Sequence, residues 1–207
     1  VNRTEYLFLD DLYLENGQTP FDKDIATHAL MGRFGNVMLV NGETDYTLRV
    51  NKSDVVRFVF TNSANTRVFN VWITDAQMKL VGGDNGKYER ETFVDSVLLG
   101  PSERAIVDVY FSDKGEYTLI HSTPDKTYEL GSIFAENTEK EISFVKAFQT
   151  LRENKDTIAS IDPYREYFVK TPDKSITLGI QMKQMMGAGS GMHMMHGGMD
   201  TSHARSA

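Results

Sequence analysis

Alternation of apolar and polar residues in short runs dominates the sequence between Tyr46 and Ser122 and restricts the fold more than any other feature. In Val56–Phe60 every second residue is large and apolar, and Phe69, Val71 and Ile73 repeat the pattern. A period of two is that of a β-strand with one buried face. The range lacks the period of a long helix. Short strands separated by turn residues predict an all-β sandwich of two stacked antiparallel sheets.

Further strands extend this pattern. Val94–Leu99 is predicted as one strongly apolar strand and 105–111 as an alternating strand. The Asp113-Lys114-Gly115 turn then leads into a strand over Glu116–Ser122. Near the beginning, Tyr6-Leu7-Phe8-Leu9 predicts another strand. The sandwich is therefore expected to occupy most of the chain.

Composition limits the chain to one domain with appendages and removes several classes of site. At 207 residues and 40% hydrophobic content it can bury one full core. The net charge of -7, without a stripe of Lys and Arg, argues against a nucleic-acid partner, and no apolar run is long enough to span a bilayer. The lack of cysteine excludes disulfides, a thiol nucleophile, thiolate metal sites and a blue-copper centre within this sequence.

A short helical connector is predicted after the sandwich. Phe144, Phe148 and Leu151 recur at helical spacing, so 147–160 is predicted to contain loops and a short helix. The Asp162-Pro163 pair interrupts this run. Lys174–Met182 then alternates again as a single strand. Because one strand has to pair with others, we expect it to open a further domain of a longer chain.

The end of the sequence is rich in methionine, histidine and glycine. From Gln181 onward it holds seven of the ten methionines and three of the five histidines. Such a segment has too little branched apolar bulk for a core, so a flexible tail is expected. Thioether and imidazole donors select Cu(I), and the candidate ligands are Met185, Met186, Met192, His193, Met194, Met195, His196 and Met199. A low-complexity insertion without a metal is the alternative interpretation.

Several segments occur in an order that is typical of a known family. They are Gly35–Glu43, Arg57–Arg67, Gly83–Gly86, Leu98–Arg104, Leu151–Asn154 and Ile161–Phe168. In this order they resemble the second cupredoxin domain of bacterial laccase-like multicopper oxidases and its connector to the third domain. Each segment alone is a weak signal, so the resemblance depends on their order.

The resemblance implies a fold and a division of the chain. It implies a cupredoxin-like Greek-key β-sandwich over 1–143 and a connector with a short helix over 144–173. It implies the first strand of a third domain over 174–182, followed by the Met/His-rich tail over 183–207. The first and third cupredoxin domains of the same oxidase are then the expected partners.

The resemblance also implies a function for the complete protein. It would be a copper-dependent oxidase that transfers electrons from a metal ion or a phenolic donor to O2, in the periplasm or outside the cell. In the family the copper ligands are His-x-His pairs and a His-Cys-His motif, and this chain has neither before its tail. We therefore expect a non-catalytic scaffold domain with no catalytic residue and no copper inside the sandwich.

Two other functions remain open at this point. One is a copper-binding or copper-tolerance module that acts through the tail. The other is a copper-free, cupredoxin-like interaction domain. Copper-ligand motifs in the flanking sequence would favour the oxidase, and their absence would favour the interaction domain.

Four polar features inside the sandwich are expected to be structural. His28 and His121 have no second ligand at metal-binding spacing. The Asp84-Asn85-Gly86 turn lacks the alternating acidic residues of a calcium loop. Glu103-Arg104 is expected to form an exposed ion pair or a backbone clamp rather than a catalytic pair.

Overall fold

The chain folds into two β-sheets stacked face to face and joined by loops and short helices. The computed structural model describes residues 1–20, 25–137 and 142–177. Val1–Arg165 forms one compact unit. Glu166–Ala207 forms a second unit, of which residues 166–177 are described.

The described residues form strands and short helices. The strands are β1 (Arg3–Leu12), β2 (Val37–Val40), β3 (Tyr46–Asn51), β4 (Val55–Asn62), β5 (Phe69–Ile73), β6 (Gln77–Gly83), β7 (Gly86–Val94), β8 (Val97–Leu99), β9 (Arg104–Tyr110), β10 (Gly115–Ser122) and β11 (Thr127–Glu136). The helices are α1 (Ile25–Met31), α2 (Val145–Gln149), α3 (Lys155–Ile161) and α4 (Arg165–Val169), with a 3-10 turn at Asp162–Tyr164. The six-stranded sheet has the order β2-β1-β4-β9-β6-β7, and the five-stranded sheet has the order β3-β11-β10-β5-β8.

The core lies between the two sheets and consists of the residues that alternate in the sequence. Val56, Phe58 and Phe60 of β4 are fully buried, as are Phe69 and Val71 of β5. Full burial of each such side chain contributes about 1.5–3 kcal/mol relative to exposure. The predicted all-β sandwich is therefore confirmed, together with the inward side predicted for β4 and β5.

The prediction that both sheets are antiparallel is wrong at two pairings. β1 runs parallel to β4, with Tyr6 opposite Val59. β3 runs parallel to β11, with Leu48 opposite Ile133. Parallel strands need a crossover instead of a hairpin, so each pairing joins segments that are distant in the chain. Alternation identifies a strand, but it does not identify the partner of that strand.

The single strand predicted over Val94–Leu99 is also wrong. β7 ends at Val94 and β8 begins at Val97. β7 pairs with β6 in the six-stranded sheet, whereas β8 pairs with β5 in the five-stranded sheet. The chain changes sheets at Asp95 and Ser96. Val94, Val97 and Leu99 face the core from the two sheets, whereas Leu98 is 70% exposed.

The predicted connector begins with helical structure, but the helix is divided. α2 ends at Gln149, and its C-cap residue Thr150 has an extended backbone. α3 begins at Lys155, with four residues between it and Thr150. Phe148 is buried, whereas Leu151 is 48% exposed and does not share the apolar side predicted for it. The division occurs because the intervening residues bind the edge strand β7 of the six-stranded sheet.

The end of the chain lies mostly outside the described residues. Residues 174–177 of the predicted strand over 174–182 are not in a strand. Residues 178–207, which include the whole Met/His-rich tail over 183–207, are not among those that the structure describes. The boundaries at 143, 173 and 182 therefore stay predictions.

Candidate functional site at the connector

Lys79 is a buried lysine on the outward side of β6. Its side chain is 1% exposed, and a lysine is found at that depth only when its charge is paired. Its Nζ lies 2.8 Å from Oε2 of Glu91 on β7. The same Nζ donates to the carbonyl oxygens of Ala147 and Thr150, at 3.3 and 3.2 Å. These carbonyls lie at the end of α2, where the helix dipole attracts a cation. Lys79 therefore binds the connector to the sheet.

Glu91 binds a second residue of the connector. Its Oε1 accepts a hydrogen bond from Nε of Arg152 at 2.7 Å, and its Oε2 accepts one from the Arg152 amide at 3.2 Å. Burial raises the pKa of Glu91, but the hydrogen bonds from Arg152 and Lys79 outweigh burial and place the pKa below its ordinary value. The carboxylate therefore stays charged at neutral pH. Lys79, Glu91 and Arg152 together are called the connector latch.

The backbone of the connector also pairs with the edge strand β7. The Glu91 amide donates to the Arg152 carbonyl at 3.1 Å, and the Asn154 amide donates to the Glu89 carbonyl at 2.8 Å. Arg90 and Glu153 form an isolated antiparallel bridge between these hydrogen bonds. The connector thus covers part of an edge that would otherwise present unpaired backbone groups.

An aromatic contact holds α2 on the outer face of the six-stranded sheet. Phe148 is 2% exposed, and its ring centroid lies 5.6 Å from that of Phe93 and 5.6 Å from that of Tyr110. Beside it, Asp108 accepts two hydrogen bonds from Arg57, at 2.7 and 2.9 Å. Arg57 lies opposite Asp108, and Asp108 lies opposite Lys79, so these three side chains form a charged row across β4, β9 and β6.

The arrangement at the connector fixes the direction in which the chain leaves the sandwich. Ionic, backbone and aromatic contacts all hold the segment 145–154 at one place on the sheet. Sequence reasoning missed the connector latch. Arg152 lay in a segment that resembles the family, but Lys79 and Glu91 look like ordinary surface residues of strands. Only the position of the connector buries them.

A second buried polar centre ties the beginning of the sandwich together. Nε of Arg67 donates to Oδ2 of Asp11 at 2.7 Å, and Arg67 also donates to the Gly35 carbonyl oxygen at 2.7 Å. A Cβ on Gly35 would lie 2.5 Å from the Leu12 amide nitrogen, so this close approach requires glycine. The pair joins β1, the segment before β2 and the segment before β5, which is a structural role.

His121 is a core residue with a hydrogen-bonding role. Its Nδ1 accepts a hydrogen bond from the Asn70 amide at 3.1 Å, and its ring stacks on Tyr128 with centroids 5.4 Å apart. Burial lowers the pKa of His121 more than the proximity of Nδ1 to the Asn70 carbonyl oxygen, at 3.4 Å, raises it. Its buried Nε2 has no hydrogen-bond partner within the described part of the chain. His121 is therefore neutral, as a packed core histidine should be.

The structure also places the other polar features that the sequence analysis considered. Glu103 accepts a hydrogen bond from the Gly100 amide at 2.6 Å, which makes it the expected backbone clamp. Arg104 forms an exposed ion pair with Asp84 at 3.3 Å. Asp84 lies in the turn between β6 and β7, and the structure thus confirms a plain turn there. His28 lies half-buried on α1.

The residues described do not fit a copper site. In the ranges 1–20, 25–137 and 142–177, no group of three or more His, Cys, Asp or Glu side chains is placed to hold a metal. Nδ1 of His121 accepts from a backbone amide, and its Nε2 belongs to no such group among the described residues. The tail candidates from Met185 to Met199 lie outside the described residues. No helix among those described is long and apolar enough to cross a bilayer.

Comparison with known proteins assigns the sandwich to a family. A model of the multicopper oxidase family matches residues 4–142. Multicopper oxidase LPR2 of Arabidopsis thaliana is 30% identical over 114 residues, which are 54% of this chain and 19% of that protein.

Solved structures give the same result for the fold. A laccase-like multicopper oxidase, CueO, from Ochrobactrum sp. is 26% identical with a TM-score of 0.60, over 68% of this chain and 32% of that one. A laccase from Pediococcus acidilactici is 26% identical with a TM-score of 0.56, over 68% and 30%. A multicopper oxidase from Campylobacter jejuni, at 24% identity and a TM-score of 0.56 over 68% and 31%, supports the fold alone.

The matched residues decide the family of the sandwich. The chain spans from 19% to 32% of the length of these relatives, so it corresponds to one part of each of them. The family model nevertheless covers almost all of the sandwich, from β1 to the end of β11. The chain belongs to the multicopper oxidase family.

Proposed function

We propose that this chain is a copper-free scaffold domain of a multicopper oxidase whose other cupredoxin domains bind the copper ions. The complete enzyme oxidises a phenolic donor or a metal ion and reduces O2, in the periplasm or outside the cell. The relative from Ochrobactrum sp. is described as having oxidase activity towards lignin model compounds, which supports a phenolic donor. The fixed connector carries the proposal, because a scaffold has to deliver the chain to the next domain in one orientation.

Two preparations test this function. One is the 207-residue chain, and the other is the longest natural chain that contains it. We expect the longer chain to bind copper and to consume O2 with a phenolic donor, and the 207-residue chain to do neither through its sandwich. A longer chain without copper would contradict the oxidase and favour the copper-free interaction domain.

The tail adds a Cu(I) site to this proposal. Several thioether and imidazole donors within a short glycine-rich segment can wrap one soft ion without a preformed geometry. Cu(I) titration against the 207-residue chain and a version that ends at Met182 tests the site. Changing Met185, Met186, Met192, Met194, Met195 and Met199 to Leu should remove binding, while a matched variant with His193 and His196 changed to Asn should keep part of it. Equal binding by the full and shortened chains would contradict the tail site.

A further inference from the structure

An exposed aromatic surface lies on the outward side of β1. Tyr6 and Phe8 are 62% and 52% exposed, whereas Leu7 and Leu9 between and after them are fully buried. Outward positions of a strand at the surface of a sandwich are normally polar. Two large aromatic residues at alternate outward positions therefore need a specific reason.

The aromatic surface continues across the sheet. Tyr6 lies opposite Val59 of β4, and Val59 lies opposite Ile106 of β9. Directly opposite residues of adjacent strands are neighbours on the same side of a sheet, so the three side chains form one apolar row. Ile106 lies opposite Gly82, where an added Cβ would be 3.4 Å from Cδ1 of Ile106 and 2.5 Å from the Gly86 carbonyl oxygen. On β6 the row therefore ends at Gly82, which has no side chain.

The backbone beneath this surface is held by two hydrogen bonds from the Asn41 side chain. Oδ1 of Asn41 accepts from the Phe8 amide at 2.8 Å, and its Nδ2 donates to the Tyr6 carbonyl at 3.1 Å. Asn41 and Gly42 have φ values of 54° and 84°, as a tight Asn-Gly hairpin turn requires. A rigid surface loses little entropy when it binds a partner.

Polar residues border the apolar row at its β1 end. A depression of about 440 Å³ beside Tyr6 and Phe8 is lined by Asp10, Leu39, Asn41, Gly42 and Ser63. An apolar centre with a polar rim is the composition of a protein interface. Tyr6, Phe8, Leu39, Val59 and Ile106 are called the aromatic face.

We infer that the aromatic face docks a neighbouring cupredoxin domain of the same oxidase, an inference that depends on the proposed function. The family relatives are about three to five times longer than the part that this chain spans, so a further folded domain is available as the occupant. The connector already covers another part of the same sheet surface, and β4 and β9 contribute residues to both the charged row beside it and the aromatic face.

Hydroxyl-radical footprinting tests this inference. The oxidation of Tyr6 and Phe8 is measured relative to that of Tyr88, an exposed tyrosine. Tyr88 lies on β7, the edge strand on the far side of the same sheet. We expect both residues to be reactive in the 207-residue chain and several-fold less reactive in the longest natural chain that contains it. Equal reactivity in the two chains would overturn the inference.

Two other occupants of the aromatic face would give different patterns of protection, and either pattern would also overturn the inference. Protection in the 207-residue chain that is lost on dilution would assign the face to a second copy. Protection that is lost on truncation after Met182 would assign it to this chain's own end.

The copper content and O2 uptake of the longer chain test the proposed function independently of the footprint. If the longer chain holds no copper but its aromatic face is protected, the proposed oxidase function is contradicted. Docking of another domain on the aromatic face would still be supported. As a second test, Tyr6→Lys with Phe8→Lys should leave the melting temperature of the 207-residue chain unchanged and lower that of the longer chain. Tyr88→Lys should have the same small effect on both and is the matched control.

Discussion

Two rows of side chains cross the outer surface of the six-stranded sheet, two residues apart on β4 and β9. The charged row of Arg57, Asp108 and Lys79 lies beside α2 of the connector. The apolar row of Tyr6, Val59 and Ile106 includes a tyrosine that is 62% exposed. The same sheet therefore carries a charged row, beside the aromatic contacts of Phe148, where its own chain covers it, and an apolar row where the surface is open.

The difference follows from the cost of removing charge from water. Burying an ammonium is unfavourable unless every hydrogen-bonding group around it is satisfied. A connector that is covalently attached to the sandwich can supply helix carbonyls at fixed positions around the Lys79–Glu91 pair, as it does for Lys79. A separately folded partner domain is bound more reliably through apolar area, because burying apolar surface does not require hydrogen-bonding groups at fixed positions. We expect changes in the charged row to affect this chain directly and changes in the apolar row to affect only its assembly.

The largest effect is expected from Glu91→Ala. It leaves the Lys79 ammonium buried without its carboxylate, and breaking a buried ion pair in this way costs about 3–5 kcal/mol. Urea unfolding of the 207-residue chain measures the loss. The double variant Lys79→Met with Glu91→Leu is the control, since it removes both charges and should recover most of the stability. A loss below about 1 kcal/mol for Glu91→Ala would show that the connector latch is not buried in solution.

Phe148→Ala should have the next largest effect. The ring fills the space between Phe93 and Tyr110. Its removal should lower the free energy of unfolding by about 3 kcal/mol. We expect the loss to be concentrated in residues 145–161, where hydrogen exchange should become faster while β4 and β10 keep their protection. Leu151→Ala, at an exposed position of the same segment, is the matched control and should change little. Uniform loss of protection would mean that the connector is part of the cooperative core.

Acid should weaken the connector latch before the core. Because the pKa of Glu91 is lower in the folded chain than in the unfolded chain, its stabilisation is fully present above the ordinary pKa of 4.5 and is lost as the pH falls through the folded value. The free energy of unfolding should therefore fall below pH 4.5 with a limiting slope of about 1.4 kcal/mol per pH unit for this proton. Glu91→Gln should remove that part of the slope. An unchanged slope in the variant would show that a group other than Glu91 causes the acid sensitivity.

His121 should produce a separate and smaller pH dependence in the core. Its pKa is below the ordinary 6.5 in the folded chain, so the unfolded chain takes up a proton first as the pH falls. The stability should be constant above pH 6.5 and decrease from there towards the folded pKa. His121→Gln should flatten this part of the curve, whereas Tyr128→Phe keeps the histidine and should keep the slope. A flat wild-type curve in this window would contradict the buried neutral state.

The smallest effect is expected from Tyr6→Thr and Phe8→Thr in the 207-residue chain. Both side chains are exposed, and threonine suits a strand, so each change should stay within about 0.5 kcal/mol. Leu7→Ala on the inward side of the same strand is the control and should cost about 2–5 kcal/mol. A loss above about 1 kcal/mol for Tyr6→Thr would show that this chain already uses the aromatic face for its own stability.

Much of the fold could be predicted from local patterns, but the candidate site could not. Alternation at Val56, Phe58 and Phe60 identified a strand and its buried side, because side-chain direction depends only on the local backbone. The connector latch depends on contacts between residues more than 50 positions apart, such as Lys79 with Thr150 and Glu91 with Arg152. No local pattern marks a lysine on a strand as buried, since its burial depends on what covers it.

The sequence by itself determined the all-β class, the inward face of the main strands and the order of segments that resembles the family. These follow from short-range rules, such as the alternation of side-chain direction along a strand. The tertiary structure decided the parallel pairings of β1 with β4 and of β3 with β11, and which outward residues are covered. Strand pairing and coverage depend on the global arrangement of the chain, because backbone hydrogen bonds are the same for any partner and only the complete packing selects one.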